Sequence, residues 1–427
     1  MSGRHLERDL ELPARAGDAS LCVHPDDVLR LVREHMAFAD TPEIVGLEPE
    51  YARWKARTSV ATTYRLSFAD GGEERVTIKA YAGRKPAAIA AAYSPGEHVR
   101  RAGRGLQPLA RVAERNLCMW CFPSDRVLGA AKVLNTKRTA RRLEASGATP
   151  EGHVRSATSR ATLLRYKHEH RAVFRFDARV KHRDGSKSDC PVGIRALPPD
   201  TARTIARART EFARSAAAGL APRMLLHEPA DGLVYESWSD GTPFQPGDFA
   251  RAREAGALLA RLHACAAPAW ARRRSSLAGA LRLLALFHDV RDLALAARRE
   301  DRPTSGVWIH GDFHPDQLCA EAGALRLLDL DALHAGEPEE DVAAWIGEQL
   351  GEDPDVSLAQ GLGPLVDGYR AAGGRVLDDE ELRVCLVREL LARAAASLRR
   401  LERSAPDVAR RHLDRAREVA ARRERAS

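Results

Sequence analysis

Two stretches of the chain alternate apolar and polar residues with a period of two, and their turns match. TSVATTYRLSF (58–68) and RVTIKAY (75–81) flank ADGGEE, while RAVFRFDARV (171–180) and PVGIRAL (191–197) flank the turn KHRDGSKSD. Aspartate-glycine turns between β-branched and aromatic runs predict hairpins. Each hairpin is announced by a similar triplet, Arg53-Trp54-Lys55 and Arg165-Tyr166-Lys167. An alanine-rich helical stretch follows each, Pro86 to Tyr93 and Thr201 to Gly219. A second hairpin closes each, LARVAERNLCMWCFP (109–123) and RMLLHEPADGLVYESW (223–238). The spacing is too long for a solenoid repeat, so a duplicated small α/β lobe is predicted.

Beyond Gly241 the period changes to that of helices. FARAREAGALLARLHAC places Leu258, Leu259 and Leu262 on one face, and SLAGALRLLALFHDVRDLALAARR and much of 378–426 continue the pattern. Only VWIH (307–310) and LRLLDL (325–330) read as strands there. A hairpin between them would bring an acid from each to one rim. The basic segment 130–152 is predicted as a helical link between the lobes, and the arginine-rich C-terminus as a surface helix. The domains expected are a helical lead-in (1–45), an accessory lobe (46–155), a second lobe (156–240) and a helical half (241–427).

Composition narrows the class without naming a function. The 427 residues are 44% hydrophobic and 30% charged, as in soluble globular proteins. The net charge of +8 reads as an arginine-rich solvated surface, because no nucleic-acid-reading motif accompanies it. Seven irregularly spaced cysteines predict free thiols, and the lone Cys118-x-x-Cys121 predicts packing rather than zinc or redox chemistry. No apolar leader or membrane-length run is present in the sequence, so a cytoplasmic protein without a membrane partner is expected.

The chemistry concentrates in HGDFHPDQ (310–317), LLDLD (327–331) and GEPEEDVA (336–343). Carboxylates at strand ends suit divalent-metal phosphate chemistry, with hard oxygens for the ion and a second acid for a hydroxyl nucleophile. These residues, over roughly 160–427, resemble the aminoglycoside phosphotransferase and choline kinase superfamily. That resemblance implies an α+β, protein-kinase-like two-lobed fold with a duplicated N-lobe-like α/β unit in front and a mostly helical C-lobe. It further implies transfer of the ATP γ-phosphoryl group to a hydroxyl of an aminoglycoside, sugar or amino alcohol. Asp312 falls at the base that orients the acceptor, and His310 at the residue bracing its loop. Asp329 falls at a Mg²⁺ ligand and Gln317 at the position of a ligating asparagine. Asp341 matches a structural aspartate. Asp331 is a further candidate for facing the metal or supporting its ligands, since strand alternation turns it to the same side as Asp329.

For the nucleotide, the resemblance points to Arg195 where a lysine is usual, with Glu211 as its helix partner and Glu236 in the hinge VYESWSDG. Lys79 is the front lobe's counterpart of Arg195, although an exposed strand lysine is its plainer reading. There is no glycine-rich phosphate loop and no GxxxxGK. Three alternatives stand beside this reading. One is a kinase-like regulatory protein with little catalysis, prompted by Gln317 and Arg195. Another is a metal-dependent phosphoesterase using His310, Asp312 and His314, and the last is a merely structural turn.

Overall fold

The computed structural model describes residues 22–55, 58–82, 105–245, 249–271, 277–298, 306–353, 355–400 and 404–421. Contacts divide the chain into two compact units. The first comprises Met1–Ala202, Leu225–Tyr235 and Leu398–Pro406; the second comprises Arg203–Met224, Glu236–Ser397 and Asp407–Ser427.

The first unit holds two sheets. Helix α1 (Pro25–His35) precedes strands β1 (Ile44–Lys55), β2 (Ser59–Phe68), β3 (Glu73–Tyr81), β4 (Leu109–Val112) and β5 (Leu117–Cys121). They form an antiparallel sheet in the order β1-β2-β3-β5-β4. After α2 (Ala130–Leu134) and α3 (Thr136–Ala145) come β6 (His153–Val154), β7 (Arg160–Lys167), β8 (Arg171–Lys181), β9 (Lys187–Ala196), α4 (Pro199–Phe212), whose residues from Arg203 on count to the second unit, β10 (Met224–Glu228) and β11 (Leu233–Ser237). β7 pairs with β8, and the path continues β8-β9-β11-β10, so the second sheet repeats the order of the first. The register repeats as well. Trp54 faces Val60, which faces Ala80; Tyr166 faces Ala172, which faces Ala196. Lys79 and Arg195, each one residue earlier on the third strand, therefore hold equivalent positions. The echoed triplets and hairpins are thus one topology used twice. The helix expected at Pro86–Tyr93 lies outside the described residues.

Alternation explains the second sheet's core. Ala172, Phe174, Phe176, Ala178 and Val180 of β8 are fully buried, together with Val192, Ile194 and Ala196 of β9. The segment read as a link packs into that same core through Val133, Ala140 and Leu143. Basic residues on its other face, Lys132 and Arg138, pair with Asp231 and Glu228 of the β10–β11 hairpin. The segment thus buries an apolar stripe and keeps its charges on the opposite face.

The second unit is mostly helical: α5 (Ala252–His263), α6 (Ala278–Leu284), α7 (Arg291–Ala296), α8 (Pro338–Glu352), α9 (Leu358–Ala371), α10 (Asp379–Arg400) and α11 (Ala405–Ala421), the last beginning in the first unit's Leu398–Pro406 segment. The apolar run 276–299 forms two short helices rather than one. Helix α11 is no loose surface helix, since Ala409, Leu413 and Ala416 are fully buried. Short strands β12 (Thr242–Pro243), β13 (Val307–Ile309), β14 (Leu318–Glu321), β15 (Ala324–Leu327) and β16 (His334–Gly336) punctuate the helices. The expected VWIH–LRLLDL hairpin is corrected: β13 pairs with β16, and β15 pairs with β14. The cause is local. Ala322 and Gly323 both take positive φ, 49° and 80°, which makes a two-residue turn that folds β15 back on its immediate predecessor.

Candidate active site

The central loop leaves β13 through Gly311, whose φ is 77°. A Cβ there would come within 2.6 Å of the Ala332 carbonyl and 2.8 Å of the His334 ring, so glycine alone fits before Asp312. Asp341, fully buried near the start of α8, fixes the loop from behind. Its carboxylate accepts the backbone N–H groups of His310 and Gly311, both at 2.7 Å. It also meets His263 Nε2 at 3.1 Å, and the other nitrogen of His263 lies 3.2 Å from the Tyr369 hydroxyl. A buried carboxylate satisfied by three donors is a rigid anchor.

Leu328 ties this loop to the next acid. Its carbonyl accepts from His310 Nε2 at 2.7 Å, and its N–H donates to the Gln317 carbonyl at 2.7 Å. Asp329 then adopts φ 51°, ψ 61°, a left-handed conformation that a residue with a side chain rarely takes and that costs about 1 kcal/mol or more. The strand ends at Leu327, and a 3₁₀ turn covers Leu330–Ala332. Alternation therefore does not govern Asp331, and the expectation that it faces the same side as Asp329 for that reason is withdrawn.

Charge is arranged in layers around Asp312. This side chain is 58% exposed, whereas His314 is 12% exposed and lies between Asp312, at 3.7 Å, and Asp316. Burial opposes protonation of His314, but the two carboxylates override it and push its pKa up to about 9. Burial likewise opposes ionisation of Asp312, and the hydrogen bond and charge of His314, with the charges of His310 and Arg393, hold its carboxyl below the ordinary value. The Gln317 amide nitrogen position lies 3.2 Å from His314 Nε2. A histidine protonated at both nitrogens can only donate, so this contact is favourable only with the amide oxygen toward the ring. Gln317 and Asp329 carry hard oxygens, the donor type that a small divalent ion takes.

Residues outside the motifs complete the cluster. Glu348 on α8 and Glu389 on α10 both pair with Arg393, the latter at 2.6 Å. His314, Asp316 and Glu348 bring one donor atom each within 4.8 Å of one another. With His314 protonated and Glu348 held by Arg393, that group is an ion-pair cluster rather than a ligand set. His263 was legible only as a histidine closing an apolar helix face, and Glu389 and Arg393 carried no signal in the sequence.

The nucleotide candidates are dispersed. Arg195 sits on β9 and is 6% exposed. Glu211, on α4, pairs with Arg214 at 2.8 Å. Glu236, at the end of β11, forms a buried pair with Arg209 of α4, a partner the sequence did not suggest. Lys79 is buried on β3, not exposed, and pairs with Glu169. All seven cysteines are free, and strand alternation puts Cys118 and Cys121 on opposite faces of β5. Burial pushes the Cys118 thiol up to about 11, so it is inert. Among the described residues no helix is long and apolar enough to cross a membrane.

Comparison with known proteins follows the same residues. The model of the phosphotransferase enzyme family matches 153–375, just over half of the chain. No curated protein sequence matches. Among solved structures, the chain is similar to the choline kinase LicA of Streptococcus pneumoniae (14% identity, TM-score 0.44, covering 67% of this chain and 99% of that one). It is also similar to a Plasmodium vivax ethanolamine kinase (12%, 0.43, 61% and 83%). A third likeness is to the amicoumacin kinase hAmiN, solved with AMP-PNP, Ca²⁺ and Ami (15%, 0.42, 66% and 93%). The family match, rather than these distant likenesses, carries the assignment. With an α+β architecture and a family match over more than half of its length, the chain belongs to the phosphotransferase enzyme family and is a phosphotransferase.

Proposed function

We propose that the protein transfers the γ-phosphoryl group of ATP to a hydroxyl of a small molecule, with Asp312 as the residue that receives the acceptor's proton. The observation that carries this is the Leu328 peptide, hydrogen-bonded on one side to His310 and on the other to Gln317. It couples the Asp312 loop to Asp329 in a fixed frame. Positioning of this kind is what phosphoryl transfer requires, because the enzyme contributes little covalent chemistry.

In this reading the acceptor oxygen bonds to the γ-phosphorus as the bond to the bridging oxygen of ADP breaks. The acceptor proton passes to Asp312 and then to solvent. Asp312, kept ionised by His314, is ready to accept it. His310 braces the loop. Asp329 and Gln317 would hold Mg²⁺, which would neutralise charge on the transferring phosphoryl group. Arg195 would grip phosphate oxygens through its planar fork. Glu236, Glu211 and Lys79 are the other candidates for the nucleotide, and each is held in an ion pair.

Asp316 and Glu348 add negative charge around Asp312 beyond what His314 and Arg393 balance, whereas burial pushes Glu389 up to about 7 and discounts its charge; the balance favours a cationic acceptor such as an aminoglycoside or amino alcohol over a neutral sugar. A cytoplasmic setting accords with its seven free thiols. The phosphoesterase alternative loses its support, because both nitrogens of His314 are engaged by carboxylates. The test is a screen of aminoglycosides, amino alcohols and sugars for ATP consumption. Acceptor-dependent ADP release that vanishes in Asp312→Ala supports the assignment, and release that survives in that variant overturns it.

A further inference from the structure

The front sheet carries a buried charge cluster that the reaction proposed above does not use. Its centre is Glu169, at the tip of the three-residue turn between β7 and β8, where Lys167 and Arg171 form the closing pair. Glu169 has φ 56°. One carboxylate oxygen pairs with Lys79 of β3 and the other with Arg126. The Glu169 N–H donates to Asp125 at 2.7 Å. Asp125, its side chain fully buried, also accepts from the Tyr166 hydroxyl at 3.0 Å and lies 3.2 Å from His168 Nδ1. The His168 ring packs on Trp120 of β5 with centroids 4.6 Å apart, and Lys79 stands over the Tyr81 ring at 4.9 Å. Two of the three turn residues, His168 and Glu169, are therefore held against the front sheet.

The register says what that turn controls. Arg195 faces Val173, which faces Arg165; the next rung is Ala196–Ala172–Tyr166, then comes the closing pair Lys167–Arg171, and the turn lies beyond it. Arg195 thus sits about two residues, or roughly 7 Å, from the gripped end of its sheet. The place of the buried Arg195 side chain depends on where that sheet end lies, and a three-residue turn alone is a weak constraint on it.

We propose that Lys79 and Arg126 are positioning residues. They hold Glu169, and through it the end of the second sheet, in the arrangement in which Arg195 meets the nucleotide. The front lobe is then a brace for its own duplicate, and Lys79 acts on ATP through Glu169 rather than by touching phosphate. This rests on the ATP-dependent reading above.

Lys79→Met, Glu169→Gln and the double variant separate the possibilities, because the double variant leaves no buried charge unpaired and keeps the fold testable. ATP dissociation constants are measured by isothermal titration with Mg²⁺, and amide exchange of residues 165–173 is followed without nucleotide. The expected result is a roughly tenfold weaker ATP affinity in all three variants, with faster exchange in the turn and a near wild-type melting temperature for the double variant. Arg75→Ala, which breaks an ion pair with Glu50 elsewhere in the same sheet, should leave affinity unchanged. Glu169→Gln decides between mechanisms by sign. If Lys79 contacts phosphate directly, removing the neighbouring negative charge tightens ATP binding, and the proposal falls. It also falls if the double variant binds ATP like the wild type. If the wild-type protein binds no ATP while its turn exchanges faster in the variants, the kinase reading fails and the grip on the turn stands without its nucleotide role.

Discussion

The two units each gather acids, histidines and arginines into a cluster, and the clusters are built oppositely. At Glu169 the charges are closed in. Asp125 and His168 side chains are 0% and 2% exposed, and each of Lys79, Arg126 and Glu169 finds a partner of opposite sign. Around Asp312 the buried members, Asp341 and His310, hold backbone, while the ionised acid itself stays open to solvent. A closed cluster converts electrostatics into position. An open one keeps a charge available to a ligand. Substitutions should divide accordingly, with stability losses in the first cluster and rate losses in the second.

The largest effect is expected at Asp312. Asp312→Asn removes a proton acceptor without leaving a buried charge unpaired, so acceptor-dependent ADP release should fall by about 10³-fold, some 4 kcal/mol in barrier. Its thermal unfolding should stay within a few degrees of wild type. A melting point that collapses together with the rate would place Asp312 among the structural residues and blur the division between the clusters.

Glu169→Gln should do the reverse. Lys79 would be left buried with no carboxylate, a loss of about 3–5 kcal/mol that chemical denaturation can measure. Lys79→Met added to it should recover most of that loss. A Glu169→Gln protein as stable as wild type would mean that the front cluster is wetter than its burial indicates.

Acid provides a third way to separate the clusters. Burial opposes ionisation of Asp125, but His168 and the N–H groups of Glu169 and Val127 lower its pKa to about 2. A carboxylate whose folded pKa is depressed stabilises the fold above its ordinary pKa near 4 and loses that contribution as pH falls toward 2. The drop of nearly two units corresponds to about 2 kcal/mol. Denaturation curves between pH 5 and 2 should show this loss in the wild type and a much flatter profile in Asp125→Asn, which has already given it up.

How much of this was readable beforehand follows from the range of the interactions. Hairpins, the duplicated strand order and the HGD and DLD acids are local, set by alternation, turn residues and a glycine that admits no side chain, so residues 58–81 and 171–197 announced their own structure. What failed was pairing at a distance. The strand 307–309 could have paired with any later strand, and two positive-φ residues, Ala322 and Gly323, decided the matter by folding β15 onto β14. Asp331 was misread for the same reason, since nothing before Asp329 signals that its backbone turns left-handed. Lys79 shows the limit most clearly. Its place on β3 was legible, but its burial depends on Glu169, 90 residues away.

The smallest effect should come from Gln317, and it bears on how open the second cluster is. Asparagine there would withdraw the amide oxygen by one methylene from His314, now 3.2 Å from the side chain, and toward its own backbone. If the glutamine oxygen is shared between His314 and a divalent cation, Gln317→Asn gives up the histidine contact and serves the ion alone. The Mg²⁺ concentration for half-maximal ATP binding should then shift by only about threefold, under 1 kcal/mol, with the fold unaffected. A hundredfold weakening would instead make the longer side chain essential, so that the ion sits where only glutamine reaches. No response to Mg²⁺ in either protein would remove Gln317 from the metal and leave it as a hydrogen-bond partner of His314, making the second cluster as closed as the first on that side.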